Sequence, residues 1–547
     1  MTADEGLDNN VHAAILKCEY AIHSSYTLVV ANADARTMKG TMLKTLKYTL
    51  AGILTCIVVF VTTVFIPYST IGFPVKGYSE LVIKNVNIVD LKNDTILQNQ
   101  HILVEGKQIK EISAEPLQKK NDNQLTINGT GKYLIPALWD MHVHLTKRSP
   151  NSAYAQFVIN GVMHVRDMRG SYNNRDHFAS TPHRIRKWNH KVTDMELLGP
   201  IVHSIPSFAI EGPNPMFDNS PEYFNCANSE QAKMLVNYFQ AQGVTLIKTY
   251  NNIPREAFFT LMREAKKAGI EVAGHKPVRV STIEAANAGM RSMEHARFLI
   301  WDSFKGSQKL RNSDNPKGKD NTKLRKQMLD EHDTLLLKAN LDALKNNNTY
   351  YCPTHLTRKA DAYADDERFR ARYDQLNPIF RFLSFEDLDA TLQEDTTDLG
   401  REVYHDFYSK GLEITKTASD SGVKILAGSD VPELPGTSLI DELQELSATG
   451  LSNYEVLRTA TLNPSEYYGL DKIHGTIEAG KNADLILLSQ NPIQEISNLK
   501  SVYGIICHGT YLNKEEIGHL KQKIHSRNNG LLMSAKLFWD MLMYTTI

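Results

Sequence analysis

The chain has 547 residues, with 61 Lys plus Arg against 62 Asp plus Glu, for a formal charge of −1. That balance excludes a nucleic-acid binder working by bulk charge, and 42% hydrophobic with 22% charged residues excludes a disordered chain. A mean hydropathy of −0.34 excludes a polytopic membrane protein but leaves room for one span.

Residues 1–47 read as a cytosolic segment, followed by a transmembrane signal anchor over 48–67. Tyr48 to Ile66 is an uncharged, mostly apolar run, close to the ~20 residues that cross a bilayer as a helix. Lys39, Lys44 and Lys47 precede it and Pro67 ends it, so the basic flank points to the cytosol and the bulk of the chain to the other side. A cleaved leader, giving a secreted or periplasmic protein, is the alternative, and a buried core helix is a third. The five cysteines are scattered without a CxxC pair, which speaks against a zinc finger or a disulfide framework.

Short β-rich runs follow over 79–135, such as Leu81–Ile83, Val86–Val89 and His101–Val104, bounded by Asn, Asp and Gly. From 136 to 465 apolar runs alternate with helix-length stretches, the texture of βα units. Eight candidate strands can be counted: Leu134–Leu145, Gly161–Asp167, Leu198–His203, Val244–Tyr250, Glu271–His275, Arg291–His295, Thr349–His355 and Val423–Asp430. Helices are expected over Glu256–Ala268 and Ser281–Ala288. The stretch 300–400 reads as an insertion, with a charged loop over Lys305–Asp320 and helices over Glu331–Lys345 and Phe369–Phe382. Short strands return over 466–515, clearest at Ala483–Leu488 and Val502–Ile506, and 516–547 is a tail that turns strongly apolar from Leu531. The expected fold is α/β: a (β/α)8 TIM barrel with a small composite β-sandwich contributed from both sides of it.

The sharpest motif is Trp139-Asp140-Met141-His142-Val143-His144. In a strand, residues two apart face the same way, so His142 and His144 present two imidazoles together. Lys248, His275, His295 and Asp430 stand at or near the ends of other candidate strands, the rim where barrel active sites lie. Taken singly, each is more commonly a satisfied polar group. As a set they suit a divalent metal, with zinc first. A protonated lysine would repel such cations, so Lys248 must be neutral or converted to a carbamate. Tyr250, His203 and His355 are candidate substrate contacts, and Arg166 with Asp167 a structural pair.

This set resembles the metal-dependent amidohydrolase superfamily, in the binuclear branch with a carbamylated lysine. Supporting segments are Gly161–Asp167, Ala273–Pro277, Ser292–His295, Ala427–Asp430, Ala460–Pro464 and Gly475–Leu485. The chain looks most similar to imidazolonepropionase-like and Xaa-Pro dipeptidase-like members. It departs from them at Trp139, and at Thr249–Asn252, where some peptidase-like relatives are glycine-rich.

The resemblance implies two divalent metal ions: one on His142, His144 and Asp430, the other on His275 and His295, with carbamylated Lys248 between them. It implies a C–N bond hydrolase acting through a metal-bridging hydroxide, with Asp430 and Lys248 as the catalytic pair and Asp430 as proton shuttle. The implied substrate is a small amide, cyclic imide or peptide, with no nucleic-acid partner, a membrane contact through the N-terminal anchor, and a homo-oligomeric state left open. The alternatives are a mononuclear deaminase of the same superfamily and a non-catalytic membrane-tethered scaffold.

Overall fold

The structure is a computed structural model, and it describes residues 35–117, 123–216, 220–221, 223–316, 321–431 and 434–544. Most of the expected cytosolic segment, residues 1–34, and the last three residues of the tail lie outside the described residues. The chain divides into two compact units.

One unit comprises Met1–Ser69, Ala364–Glu394 and Ser526–Ile547. Its main element is the helix Ala35–Phe65, which starts before the apolar run and takes in the three lysines expected to flank it. Within it, Lys44–Phe65 has a mean hydropathy of 2.2 over its most apolar window. At 1.5 Å per residue those 22 residues reach ~33 Å, enough for a bilayer core of ~30 Å. Its threonines bond back into the helix, Thr49 to Thr45 O at 2.9 Å and Thr55 to Ala51 O at 2.8 Å, so these hydroxyls need no water. The apolar tail forms a second helix, Leu531–Tyr544. Phe538 and Trp539 of that helix pack on Phe60, with ring centroids 5.9 and 6.2 Å apart. Lys536 is buried, and its ammonium donates to Val64 O and, at 2.7 Å, to Ile66 O, the carbonyl end of the first helix, where the helix dipole favours a cation.

The other unit comprises Thr70–Tyr363 and Asp395–His525. One mixed sheet is built from both flanks: β1 (Glu80–Asp90), β2 (Thr95–Glu105), β3 (Gln108–Ser113), β4 (Gln124–Asn128) and β5 (Tyr133–Pro136) join three strands from the far end. Between them lie the barrel strands β6 (Leu138–Val143), β7 (Val162–Asp167), β8 (Ile201–Val202), β9 (Leu246–Thr249), β10 (Glu271–Gly274), β11 (Ser292–Glu294) and β12 (Tyr350–Cys352). The late strands are β13 (Leu485–Leu488), β14 (Val502–Cys507) and β15 (Thr510–Asn513). Pairing of β13 with β5, Ile486 opposite Ile135, closes the sheet across the whole barrel sequence.

The barrel strands pair in parallel as β6-β7-β8 and β9-β10-β11-β12. Bridges from Pro206 to Leu246 and from Ile210 to Thr249 join the two sets. The eighth position is an extended segment rather than a regular strand. Tyr351 bridges to Ile425, Met141 N donates to Ala427 O at 2.9 Å, and Asp430 N donates to His142 O at 2.9 Å, which closes the ring. The chain thus forms the expected (β/α)8 barrel with a β-layer from both flanks. All six residues of β6 and all six of β7 are buried, as strands covered on both faces must be. Their polar members therefore need partners inside the protein.

Three expectations change. Leu134–Leu145 is two strands, one in each layer, because Ala137 breaks off to donate its N–H to Asp484 O at 2.8 Å. The stretch 300–400 is not one insertion but two connections, since β12 runs through it. Helices Arg297–Asp302, Ser307–Arg311, Thr322–Asp330 and Thr334–Asn346 precede β12, so the expected loop over Lys305–Asp320 holds a short helix, with residues 317–320 outside the described ones. After β12 the expected helix over Phe369–Phe382 is replaced by Glu367–Arg370 and Pro378–Glu394, since Pro378 cannot donate to a helix already under way.

Candidate metal centre

The C-terminal ends of the barrel strands bring His142, His144, His275, His295 and Asp430 together. Both His142 Nε2 and His144 Nε2 lie 3.3 Å from Asp430 Oδ1. His295 Nδ1 lies 3.7 Å from Asp430 Oδ2. His275 and His295 face each other with their Nε2 atoms 2.8 Å apart. His295 and Asp430 take left-handed backbone angles, φ 71° and 50°, a strained arrangement that surrounding structure must hold in place. Lys248, 6% exposed on β9, stands beside this group: its charge is felt at His142, His144 and His275.

Outer partners fix how each ring is turned. His142 Nδ1 is 3.0 Å from Glu294 Oε2, His275 Nδ1 is 2.9 Å from Asn251 Oδ1, and His295 Nδ1 is 2.7 Å from Thr354 Oγ1. With Nδ1–H donated outward to Glu294 and Asn251, the Nε2 atoms of His142 and His275 present lone pairs inward. The Nε2 atoms of His142 and His144 are buried and make no hydrogen bond. The His275 and His295 Nε2 atoms, 2.8 Å apart, can share one ring N–H or turn both lone pairs to a cation. Imidazoles with a carboxylate are a donor set for zinc and other first-row divalent ions, so the residues present fit such a group.

Electrostatics agree with this. Burial holds the histidines well below their ordinary range, reinforced by Lys248 at His142 and His144, by His295 at His275, and by His142 at His295. Neutral imidazole is the form that binds metal. Burial also pushes Asp140 up to about 6, although its carboxylate accepts from Ser429 Oγ at 2.7 Å and from Ser429 N at 3.0 Å. Beneath the histidines, Arg166 is fully buried and forks onto both oxygens of Glu294 at 2.8 Å. It also donates to Met141 O at 2.6 Å and Ser292 Oγ at 2.7 Å.

Of the other sequence candidates, Tyr250 stands at the site, its ring 4.2 Å from that of His275. His203 is not brought there. It stacks on Trp139 at 4.4 Å and bonds His164. His355 is fully buried and turned to Thr415 Oγ1 at 2.9 Å, with its backbone N–H on Glu442, since it starts a helix rather than ending a strand. Arg166 and Asp167 do not pair: adjacent strand residues face opposite ways, and Asp167 instead accepts from Leu145 N and Arg169 N. Glu294, Asp140, Asn251 and Thr354 were not foreseen. The signal for Glu294 was a carboxylate immediately before a strand-end histidine.

A profile of the Amidohydrolase family matches residues 133–512. The chain belongs to the amidohydrolase family. Enzymes of this family hydrolyse carbon–nitrogen bonds. A short segment is 49% identical over 51 residues to an imidazolonepropionase of Thermoplasma acidophilum, covering 9% of this chain and 12% of that protein. The match thus spans about an eighth of that relative's length. Among solved structures, a Xaa-Pro dipeptidase with bound methionine in its active site aligns at TM-score 0.56 and 18% identity, over 80% of this chain and all of its own. Bottromycin amidohydrolase aligns at TM-score 0.59 and 19% identity, over 85% of this chain and 92% of its own. At these identities the structures establish the shared fold.

Two outcomes follow from the geometry. Because burial lowers the histidine pKa values, protons compete for the imidazoles only below the ordinary value of 6.5. Bound metal should therefore be retained unchanged from pH 7.5 to 6.5 and be lost only at lower pH, as measured by metal analysis after dialysis at each pH. Glu294→Gln leaves the Arg166 guanidinium without its buried counter-charge and frees His142 to rotate. Stability should fall by ~3–5 kcal/mol in denaturant titration, and metal affinity by ~10–100-fold in competition with a chelator.

Proposed function

We propose that this chain is a membrane-anchored, metal-dependent hydrolase of C–N bonds in small amides, cyclic imides or peptides. The observation that carries the reading is the convergence of imidazole nitrogens on Asp430, with the His275 and His295 Nε2 atoms 2.8 Å apart and those of His142 and His144 unbonded. His142, His144 and Asp430 would hold one divalent cation, zinc first, and His275 and His295 a second. Bound cations of this kind supply Lewis acidity and an acidified water.

The protein's own groups do the rest. Lys248 would stand beside those cations, whose charge would oppose an ammonium there. Its amine could add to CO2, forming a C–N bond and releasing one proton, to leave a carbamate whose oxygens would help hold the cations. Asp430 Oδ2 would accept the proton of the attacking water and return it to the departing nitrogen, as base and then acid. The Tyr250 ring, packed on His275, forms part of the wall against which substrate would lie.

We further propose that the helix Ala35–Phe65 is a retained anchor. Its carbonyl end accepts from the buried Lys536, and its aromatic rings pack on Phe538 and Trp539. Cleavage after the apolar run would strip the C-terminal helix of both. The lysines on the N-terminal side favour the cytosol, which puts the hydrolase on the opposite face.

The test of the reaction is turnover of amides, cyclic imides and dipeptides by the zinc-loaded full chain in detergent. Asp430→Asn should lower kcat by ~10²–10⁴-fold, and chelation should abolish turnover until metal is restored. Full activity in the chelated protein, or wild-type kcat in Asp430→Asn, overturns the reading. For the anchor, a tag placed before residue 35 should remain on the catalytic chain through a carbonate wash of the membranes. A soluble chain lacking residues up to Pro67 overturns it.

A further inference from the structure

A second group of histidines lies at the opposite, N-terminal end of the barrel. His164 on β7, His203 after β8, His474 before β13 and His508 after β14 surround the Asp484 carboxylate, directly or through one another. The proposed hydrolase reaction uses none of them. Among the described residues, His164, His474 and Asp484 each offer a ligand atom within 4.8 Å of the others.

The separations are informative. His164 Nε2 and His474 Nδ1 each lie 3.9 Å from Asp484 Oδ2, and His508 Nδ1 lies 3.9 Å from Asp484 Oδ1. That is too long for hydrogen bonds. Two donors on one tetrahedral ion with bonds of ~2.0–2.1 Å stand ~3.3–3.4 Å apart, so each pair would close by about half an ångström when an ion binds.

The rings are also arranged as ligands are. His164 is 2% exposed, and its Nε2 is buried without a hydrogen bond. Its Nδ1 is 3.0 Å from His203 Nε2, an outer partner of the kind that orients metal-binding histidines. Trp139 stacks on both rings, 4.2 Å from His164 and 4.4 Å from His203, and locks their planes. Asn482 Nδ2 stands 3.4 Å from His474 Nε2; with the amide turned over, its oxygen would accept from Nε2–H and leave Nδ1 as the lone pair, and an ion requires that orientation. The nearby Lys481 ammonium is engaged by Thr476 Oγ1 and the carbonyls of Asp471 and His474. His474 and His508 keep side-chain exposures of 11% and 14%, which leaves an ion a way in. Burial holds His164 well below the ordinary histidine range, and His203 down to about 3, so the rings are neutral.

We propose that His164, His474 and Asp484 form a structural site for one first-row divalent cation, zinc first, separate from the catalytic centre. Such an ion would tie a barrel strand, the turn that leaves the barrel and the entry to β13, and so fasten the barrel to its sheet. His508 stands by as a fourth ligand on the other carboxylate oxygen.

The test is a metal count on the full chain, purified in detergent without chelator and loaded with zinc alone. His474→Ala should carry one zinc fewer than wild type and keep its turnover, so this count stands apart from whether the catalytic reading holds. Zinc-edge anomalous scattering from wild-type crystals should place a peak between His164 Nε2 and Asp484, which decides the matter if His474→Ala does not fold. An equal count in the two proteins, or no peak at that place, overturns the site and leaves a neutral hydrogen-bonded cluster.

Discussion

Arg166 and Glu294 meet inside the barrel with no exposure to water, and the position of His142 follows from their pairing. A guanidinium or carboxylate alone there would cost several kcal/mol in lost hydration. Each is instead surrounded by partners. The fork of Arg166 covers both carboxylate oxygens, its remaining donors reach Met141 O and Ser292 Oγ, and Glu294 spends its last direction on His142 Nδ1. The pair thereby links β6, β7 and β11 and fixes one ring nitrogen of the His142 imidazole. The other nitrogen has only one direction left, toward Asp430.

The same logic operates at both ends of the barrel. Burial makes the charged imidazolium costly, so the rings are neutral and their tautomers are set by outer partners: Glu294, Asn251 and Thr354 at one end, His203 at the other. Left-handed backbone at His295, Thr354 and Asp430 is tolerated because hydrogen bonds on neighbouring strands hold it. Tightness of packing adds to this. A Cβ on Gly428 would stand 2.6 Å from both Cys352 Sγ and His142 Cβ, so the segment carrying Asp430 can approach His142 only because residue 428 has no side chain.

The helical unit solves a different problem. An apolar helix needs its polar backbone ends satisfied where water is scarce. Lys536 does this for the end of Ala35–Phe65, where the helix dipole favours a cation. A buried lysine in a mostly apolar C-terminal helix makes sense as a cap.

Much was legible in the sequence because it is local. Strand period puts His142 and His144 on one face. Turn residues mark strand ends, and barrel rims gather strand ends, so the candidate ligands could be named before their neighbours were known. The apolar run Tyr48–Ile66 and the β-rich flanks are likewise properties of consecutive residues. What the tertiary structure alone decided is partnership across distance. Arg166 stands next to Asp167 in the chain, but pairs with Glu294 on a strand far along the sequence. His203 and His355 end or follow strands as the candidate ligands do, yet one faces Trp139 and the other Thr415. Which histidines come together is set by side-chain direction and by the closure of the ring, and neither is encoded in the spacing of residues along one strand.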